Sequence, residues 1–175
     1  MSGKKINFLS SGFKVFLISV LLLMITTGCQ KDDICSAATP TTPMLLISFF
    51  DAEDPTTPKP PSNLLVRELF YNSVIYNRES PAEIRIPLRL DSETTEYEFI
   101  LNAPADGATD ESNSDGLTFS YDLEEIYISR ACSFKVNFRD LTAELIPGDN
   151  PWISLITIVE ENIENETSAH VHIFH

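Results

Sequence analysis

Glycine is scarce in this chain, and no glycine stands in a pattern that cradles phosphate or presents a nucleophile. The 175 residues include 6 glycines, and neither G-x-G nor G-x-S-x-G occurs among them. A nucleophile paired with its base is equally absent from the sequence pattern. We therefore expect a protein that is not an enzyme and needs no cofactor.

Basic residues are also few. Twelve lysines and arginines face 26 aspartates and glutamates, for a net charge of −14. A body of this charge repels the phosphates of nucleic acids and the headgroups of anionic lipids. We expect no nucleic-acid partner, while cations and cationic surfaces stay open as partners.

A long hydrophobic run is missing as well. The apolar run at residues 15–25 is shorter than the roughly 20 residues that a transmembrane helix needs. Lys4, Lys5 and Lys14 accompany it without any acidic residue, and small residues follow it, which is the layout of an export signal over residues 1–28. Removing this segment takes three of the 12 basic residues and none of the 26 acidic ones, so the net charge moves from −14 to −17.

The residues that end this segment resemble a bacterial lipobox. Ile25-Thr26-Thr27-Gly28-Cys29 has the small residues and the cysteine of that motif, although Thr26 stands where leucine is usual. The resemblance implies that Cys29 is acylated and that its lipid anchors the protein in a membrane, stably when several acyl chains are attached. The alternative is an ordinary signal peptide followed by a cysteine of another role.

The next four residues, Gln30-Lys31-Asp32-Asp33, resemble the export signal that carries Bacteroidota lipoproteins to the cell surface. The alternative is a charged start to a linker. We expect an outer-membrane protein with a short lipid tether over residues 29–43. The sequence does not decide between the cell surface and the periplasmic face of that membrane.

Acylation of Cys29 would leave two of the three cysteines. Export places Cys35 and Cys132 in an oxidising compartment, which predicts a Cys35–Cys132 disulfide. Two separate buried thiols are the alternative, because the sequence does not give the Cα separation. Five residues lie between Cys29 and Cys35, a reach of about 20 Å, so a bonded Cys35 would keep the domain near the membrane.

Apolar residues alternate with polar ones in most of residues 44–175, which predicts strands with one buried face. Pro87 would place its strand at a sheet edge, Cys132 would lie in phase with inward residues, and residues 152–159 would form a central strand. The expected strands are 44–50, 64–71, 84–90, 97–101, 117–123, 132–138, 152–159 and a last one around 170–173. The pattern indicates an all-β fold, a single antiparallel β-sandwich of about eight or nine short strands.

Two weak patterns suggest metal ligands. Glu111, Asn113 and Asp115 echo the spacing of a calcium loop, against a solvated hairpin tip as the alternative. His170 and His172 are two residues apart and would share the solvent face of a strand, close enough for one zinc or copper ion. Exposed histidines without a metal are the alternative.

The mature chain as a whole resembles a family of uncharacterised Bacteroidota lipoproteins of flavobacterial type, whose shared domain has no assigned function. The resemblance implies the compartment and the fold, and it assigns no catalytic or binding residue. The residues that carry it are Cys29-x5-Cys35, Thr42-Pro43 before Phe49-Phe50-Asp51, Ser129-Arg130-Ala131-Cys132, Trp152-Ile153 and Ala169-His170-Val171-x-Ile173.

Three functions are compatible with these features. The first is a membrane-anchored, non-catalytic β-sandwich with a binding or envelope-assembly role, whose partner is an envelope protein or a glycan. The second is a cation- or glycan-binding surface module, in which Tyr71, Tyr76 and Tyr127 are candidate contacts. The third is a hydrolase whose catalytic groups meet only in the folded chain, which a pocket with convergent titratable groups would favour.

Overall fold

The computed structural model describes residue 16, residues 34–104 and residues 113–175, and these residues form nine strands. Contacts divide the chain into two units, Met1–Thr39 with Ser129–Cys132, and Pro40–Ile128 with Ser133–His175. The larger unit contains both sheets. The strands are β1 Leu45–Phe50, β2 Leu64–Glu68, β3 Ser73–Glu79, β4 Glu83–Ile86, β5 Thr94–Leu101, β6 Asn113–Ser129, β7 Ser133–Pro147, β8 Leu155–Ile158 and β9 Val171–Phe174.

Two sheets confirm the predicted β-sandwich. The first has the order β4-β1-β9-β8, and the second has the order β3-β2-β5-β6-β7. Strands β1 and β9 run parallel, with Ile47 opposite Val171, whereas β1 pairs antiparallel with β4. The first sheet is therefore mixed, which a sequence pattern of alternation cannot reveal.

The core lies where the alternation predicts it. Leu117, Phe119 and Tyr121 on β6 are buried, as are Tyr97 and Phe99 on β5. Burying one large apolar side chain contributes about 1.5–3 kcal/mol, so these alternating rows explain why the sheets pack on each other.

The expected strands 64–71 and 84–90 both end earlier than predicted. Strand β2 stops at Glu68 and a turn follows, in which Asn72 has φ of 52°. Strand β4 stops at Ile86, because Pro87 has no N–H to donate to a ladder. Strand β4 does lie at a sheet edge, as the position of Pro87 predicted. Leu90, expected to face inward, is exposed.

Residues 152–159 do not form a central strand. The observed β8 lies at the edge of the first sheet, and Leu155 is 56% exposed. Trp152 and Ile153 are buried, yet they precede the strand and donate their backbone N–H groups to a side chain. The apolar run therefore spans two environments, which is why both parities are apolar.

The inward phase expected for residues 132–138 is also wrong in part. Cys132 precedes β7 and is half-buried, and Phe134 is 57% exposed, whereas Phe138 is buried. Phe134 packs edge-on against Tyr127, with ring centroids 5.3 Å apart. The buried phase shifts after Phe138. Phe138 and Leu141 are both buried although they are three residues apart, and Asp140 between them has φ of 52°, as at a bulge.

Candidate ligand-binding site

The predicted disulfide is present in the smaller unit. Cys35 and Cys132 are bonded, with 4.9 Å between their Cα atoms, and the Oγ of Ser129 accepts the backbone N–H of Cys132 at 3.1 Å. Cys29, the predicted lipid-attachment residue, lies outside the described residues. No helix in the described part of the chain is long and apolar enough to cross a membrane.

Asp115, one of the three suggested calcium ligands, has backbone partners within the fold. Its buried carboxylate accepts three backbone N–H groups, from Gly148 at 3.0 Å, Trp152 at 2.8 Å and Ile153 at 2.9 Å. Asn113 accepts a hydrogen bond from the side chain of Asn150, and Glu111 lies outside the described residues. The carboxylate of Asp115 therefore fastens the segment before β8 to β6.

His170 does not lie on the solvent face, as the expected pairing with His172 required. It is buried just before β9, where Nδ1 accepts the backbone N–H of Leu46 at 3.0 Å and Nε2 donates to the carbonyl of Asn165 at 2.9 Å. Both ring nitrogens are occupied, so the ring has none left for a metal. Residues 34–104 and 113–175 contain no group of three or more side chains suited to hold a metal ion.

A different set of residues forms the candidate site, on the sheet that contains β2. Glu68 lies opposite Ser73 on β3 and opposite Tyr97 on β5, so the three residues form one row across three neighbouring strands. Within β2, Glu68 shares the buried phase of Leu64 and Val66. A carboxylate thus occupies a position where the alternation calls for an apolar side chain.

The carboxylate of Glu68 is only half satisfied. Its residue is 4% exposed, and Oε2 accepts the backbone N–H of Tyr71 at 2.6 Å. Its Oε1 has no hydrogen-bond partner, a state that only Asn137 Oδ1 shares among the buried side-chain atoms of the described residues. Unpaired buried polar atoms are costly and call for an explanation.

A cavity of about 260 Å³ opens beside this carboxylate. Its walls combine apolar side chains with a few polar groups, the usual make-up of a small-molecule site. The lining residues are Glu68, Tyr71, Ser73, Ile75, Pro87, Leu88, Arg89 and Tyr97.

Arg89 and Tyr71 line the cavity, and Phe70 packs on Arg89 beside it. The Arg89 guanidinium stacks on Phe70, with Cζ 3.7 Å from the ring centroid, and donates twice to Asp91 at 3.0 Å. Tyr71 donates its hydroxyl to the same carboxylate at 3.1 Å. The hydrogen bond from Arg89 is the main reason that the pKa of Asp91 lies below 3.8. Asp91 is therefore charged at neutral pH.

Tyr97 closes the floor of the cavity as a neutral phenol. Its hydroxyl donates to the carbonyl of Pro87. Burial raises the pKa of Tyr97 well above 10.0, and the negative charge of Glu68 adds to the shift. Tyr97 therefore adds no second negative charge beside Glu68.

The aromatics expected to be exposed are distributed over the larger unit. Tyr71 is 62% exposed at the cavity rim, Tyr127 is exposed on β6, and Tyr76 is partly buried, with its hydroxyl accepting the backbone N–H of Arg85 at 2.9 Å. Sequence reasoning missed Glu68. The signal was present, because Leu64-x-Val66-x-Glu68 places an acid in phase with two apolar residues.

A larger depression of about 410 Å³ lies before β9, and several of its polar groups have partners within the fold. Glu160 Oε1 accepts the backbone N–H of Asn162 at 3.3 Å, and Asn165 Oδ1 accepts that of Thr167 at 3.0 Å. Arg139 pairs with Glu164. Unlike the cavity beside Glu68, this depression offers no unsatisfied buried group.

Comparison with known proteins gives one family. A family model described as "Family of unknown function (DUF6452)" matches residues 63–175, a stretch that includes the whole candidate site. No curated protein and no solved structure matches the chain.

Proposed function

The chain belongs to DUF6452, a family of unknown function, and we propose that it is a lipid-anchored, non-catalytic protein whose β-sandwich binds a small ligand group in the cavity beside Glu68. The observation that carries this proposal is an unpaired oxygen, Oε1 of Glu68, in the wall of the cavity. The residue is 4% exposed. A bound donor would satisfy that oxygen. Proteins tolerate such local costs at functional sites.

Binding is favoured over the hydrolase alternative by the chemistry of the lining. Among the described residues that line the cavity, Glu68 is the one carboxylate, and none is a histidine or cysteine that could serve as base or nucleophile. Asp91, which contacts two of the lining residues, is committed to Arg89 and Tyr71. Glu68 has a free oxygen, but hydrolysis also needs a nucleophile with its base or a second free acid, and Asp91 is not free.

The membrane anchor is the second part of the proposal, and it is supported by residues 1–29 alone. We propose that Cys29 bears the lipid, in an outer-membrane lipoprotein of the Bacteroidota type, with its partner in the envelope. Labelling of growing cells with a tagged fatty acid tests this directly. Wild-type protein would be labelled and Cys29→Ala would not; equal labelling of both would refute the anchor. Protease treatment of intact cells would then decide which face the domain occupies.

The binding proposal is tested by NMR on the full chain in detergent micelles, with a panel of alkyl amines, alcohols and simple sugars. We expect chemical-shift changes at Glu68, Ser73 and Tyr97, the row across β2, β3 and β5. Tyr71→Ala should weaken them, whereas Tyr127→Ala, which removes a comparably exposed ring on β6, should not. Shifts that avoid this row for every compound would refute the proposed site.

A glycan is the second candidate ligand, because two neighbouring aromatic rings are exposed, one lining the cavity and one beside it. Phe70 is 66% exposed, and its ring lies edge-on to Tyr71 at a centroid distance of 4.8 Å. Sugar rings commonly pack on such faces. The sugar arm of the panel separates this candidate from ligands that enter the cavity, since a stacked sugar would shift Phe70 and Tyr71 and leave Tyr97 unchanged.

A further inference from the structure

We propose that the cavity beside Glu68 binds a primary alkylammonium group, supplied by a free amine or by a lysine side chain of a partner protein. This inference rests on the proposed binding function and specifies its ligand. Four features of the site carry it: the local charge, the single free oxygen, the apolar walls and the aromatic rim.

The local charge favours a cation. Glu68 and Arg89 line the cavity, and Asp91 is held by Arg89, so two carboxylates stand against one guanidinium. Arg89 directs two N–H groups to Asp91 and stacks on Phe70, so no ion pair joins it to Glu68 among the described residues, and the charge of Glu68 acts on Arg89 at longer range. One negative charge is therefore unmatched, within a chain of net charge −14. A ligand with one positive charge would neutralise it.

The number of free oxygens selects the kind of cation. Guanidinium groups bind carboxylates best through two parallel hydrogen bonds, and here the second bond would have to share Oε2 of Glu68 with the N–H of Tyr71. Oε1 is the oxygen that has no partner. A primary ammonium is a compact donor that needs one acceptor atom, and its two other N–H groups can reach further acceptors such as the Ser73 hydroxyl. A quaternary ammonium has no N–H to give.

The walls fit the remainder of such a ligand. Ile75, Pro87 and Leu88 present apolar surface to the cavity, where an alkyl stem can lie as it does beneath a lysine head group. The ring of Tyr71 at the rim adds an attractive face for a cation. A charged head with an apolar stem matches both ends of the cavity, whereas a bare inorganic cation would leave the apolar walls unused.

The test is an NMR titration of the full chain with n-butylammonium chloride. Butan-1-ol serves as the neutral ligand of similar shape, and tetramethylammonium and methylguanidinium serve as the other cations. We expect n-butylammonium to shift the Glu68, Ser73 and Tyr97 resonances with at least tenfold higher affinity than any of the three. Equal affinity for butan-1-ol, or preference for tetramethylammonium or methylguanidinium, would overturn the inference.

Matched variants connect the effect to the carboxylate. Glu68→Gln removes the charge with little change of shape, and Glu125→Gln removes one charge from an exposed position on β6. We expect the first to weaken n-butylammonium at least tenfold and the second to leave it within twofold. If Glu68→Gln fails to fold, Tyr71→Leu at the exposed rim provides the measurement, with an expected several-fold loss. Full retention of affinity in the folded Glu68→Gln protein, or in Tyr71→Leu where it replaces that variant, would refute the assignment.

Two further arms identify the source of the amine. 1,5-Diaminopentane represents free amines, and a blocked Gly-Lys-Gly peptide with a blocked Gly-Gln-Gly control represents a protein side chain. Binding of the peptide alone indicates a protein partner, and binding of both indicates that the ammonium group suffices. If sugars perturb the Glu68 row and none of the amines does, the ammonium inference fails while the binding function survives. If no compound perturbs that row, both fail.

Discussion

Glu68 occupies a position on β2 that faces the core, so its carboxylate is a local cost to the fold. Glu68→Gln retains an acceptor for the N–H of Tyr71 and removes the buried charge. We expect the free energy of unfolding at neutral pH to rise by about 1 kcal/mol, because a buried neutral amide costs less than a buried carboxylate without a counter-charge. Urea denaturation of both proteins measures the change. A fall of similar size would show that the charge of Glu68 is used within the fold.

His170 predicts how the stability depends on pH. Burial lowers the pKa of His170 below 6.5, with a partial offset from Glu160 and Glu166. The unfolded chain therefore takes up the proton more readily than the folded chain, so stability is complete above about pH 6.5 and falls as the pH drops below it. Burial lowers the pKa values of His172 and His175 in the same direction.

The variant His170→Asn isolates this contribution. We expect it to cost about 1 kcal/mol at pH 7, because the hydrogen bond to the carbonyl of Asn165 is lost. The variant should also lose less stability than the wild type between pH 7 and pH 5. Denaturant unfolding of both proteins at each pH measures this difference. The carboxylates with lowered pKa values, such as Asp51 and Asp91, act below about 3.8 and lie outside this window. An unchanged pH dependence would assign the effect to other groups.

At the scale of single elements, the alternation of apolar residues predicts which faces of β5 and β6 are buried but not how the strands are arranged. Strand β8 is an edge strand, although its sequence suggested a central one, because two of the apolar residues before it pack in the core outside the ladder. The order of strands depends on contacts distant in sequence, such as the parallel pairing of β1 with β9. No local pattern encodes these contacts.

The same limit explains what could be predicted of the candidate site. Tyr71 was identified as an exposed aromatic residue, whereas the meeting of Glu68 with Tyr97 requires the register of β2 against β5. The stacking of Arg89 on Phe70 likewise brings together two segments that β3 and β4 separate along the chain. An acid in an apolar phase is visible in one sequence, but its unpaired oxygen is visible only in the fold.

Asp115 connects two elements, and its removal should uncouple them. Asp115→Asn replaces one of its acceptor oxygens by an amide that donates, opposite the backbone N–H groups of Trp152 and Ile153 or of Gly148. We expect a loss of about 2–3 kcal/mol, as for hydrogen bonds to a buried charged group. Asp122→Asn, at an exposed position on the same strand, should change stability by less than about 0.5 kcal/mol. Equal effects of the two variants in denaturant unfolding would contradict this role.

For the molecule as a whole, the balance of charge and the long covalent loop set the behaviour of the unfolded chain. Cys35 and Cys132 are 97 residues apart, and a bond across about 100 residues contributes up to about 4.7 kcal/mol in the chain-entropy model. With a net charge of −14, the reduced unfolded chain should also expand by self-repulsion. Both effects act on the unfolded state, so breaking the bond should lower stability without altering the core.

Urea unfolding of the full chain in detergent micelles, with and without a reductant, tests this expectation. We expect the reduced protein to lose up to about 4.7 kcal/mol and to show a steeper dependence on urea, because more surface is exposed when a chain without the cross-link unfolds. The double variant Cys35→Ser, Cys132→Ser should behave like the reduced wild type in the absence of reductant. A lower midpoint with an unchanged slope would instead attribute the loss to the folded state, and an unchanged midpoint would show that the disulfide does not stabilise the fold.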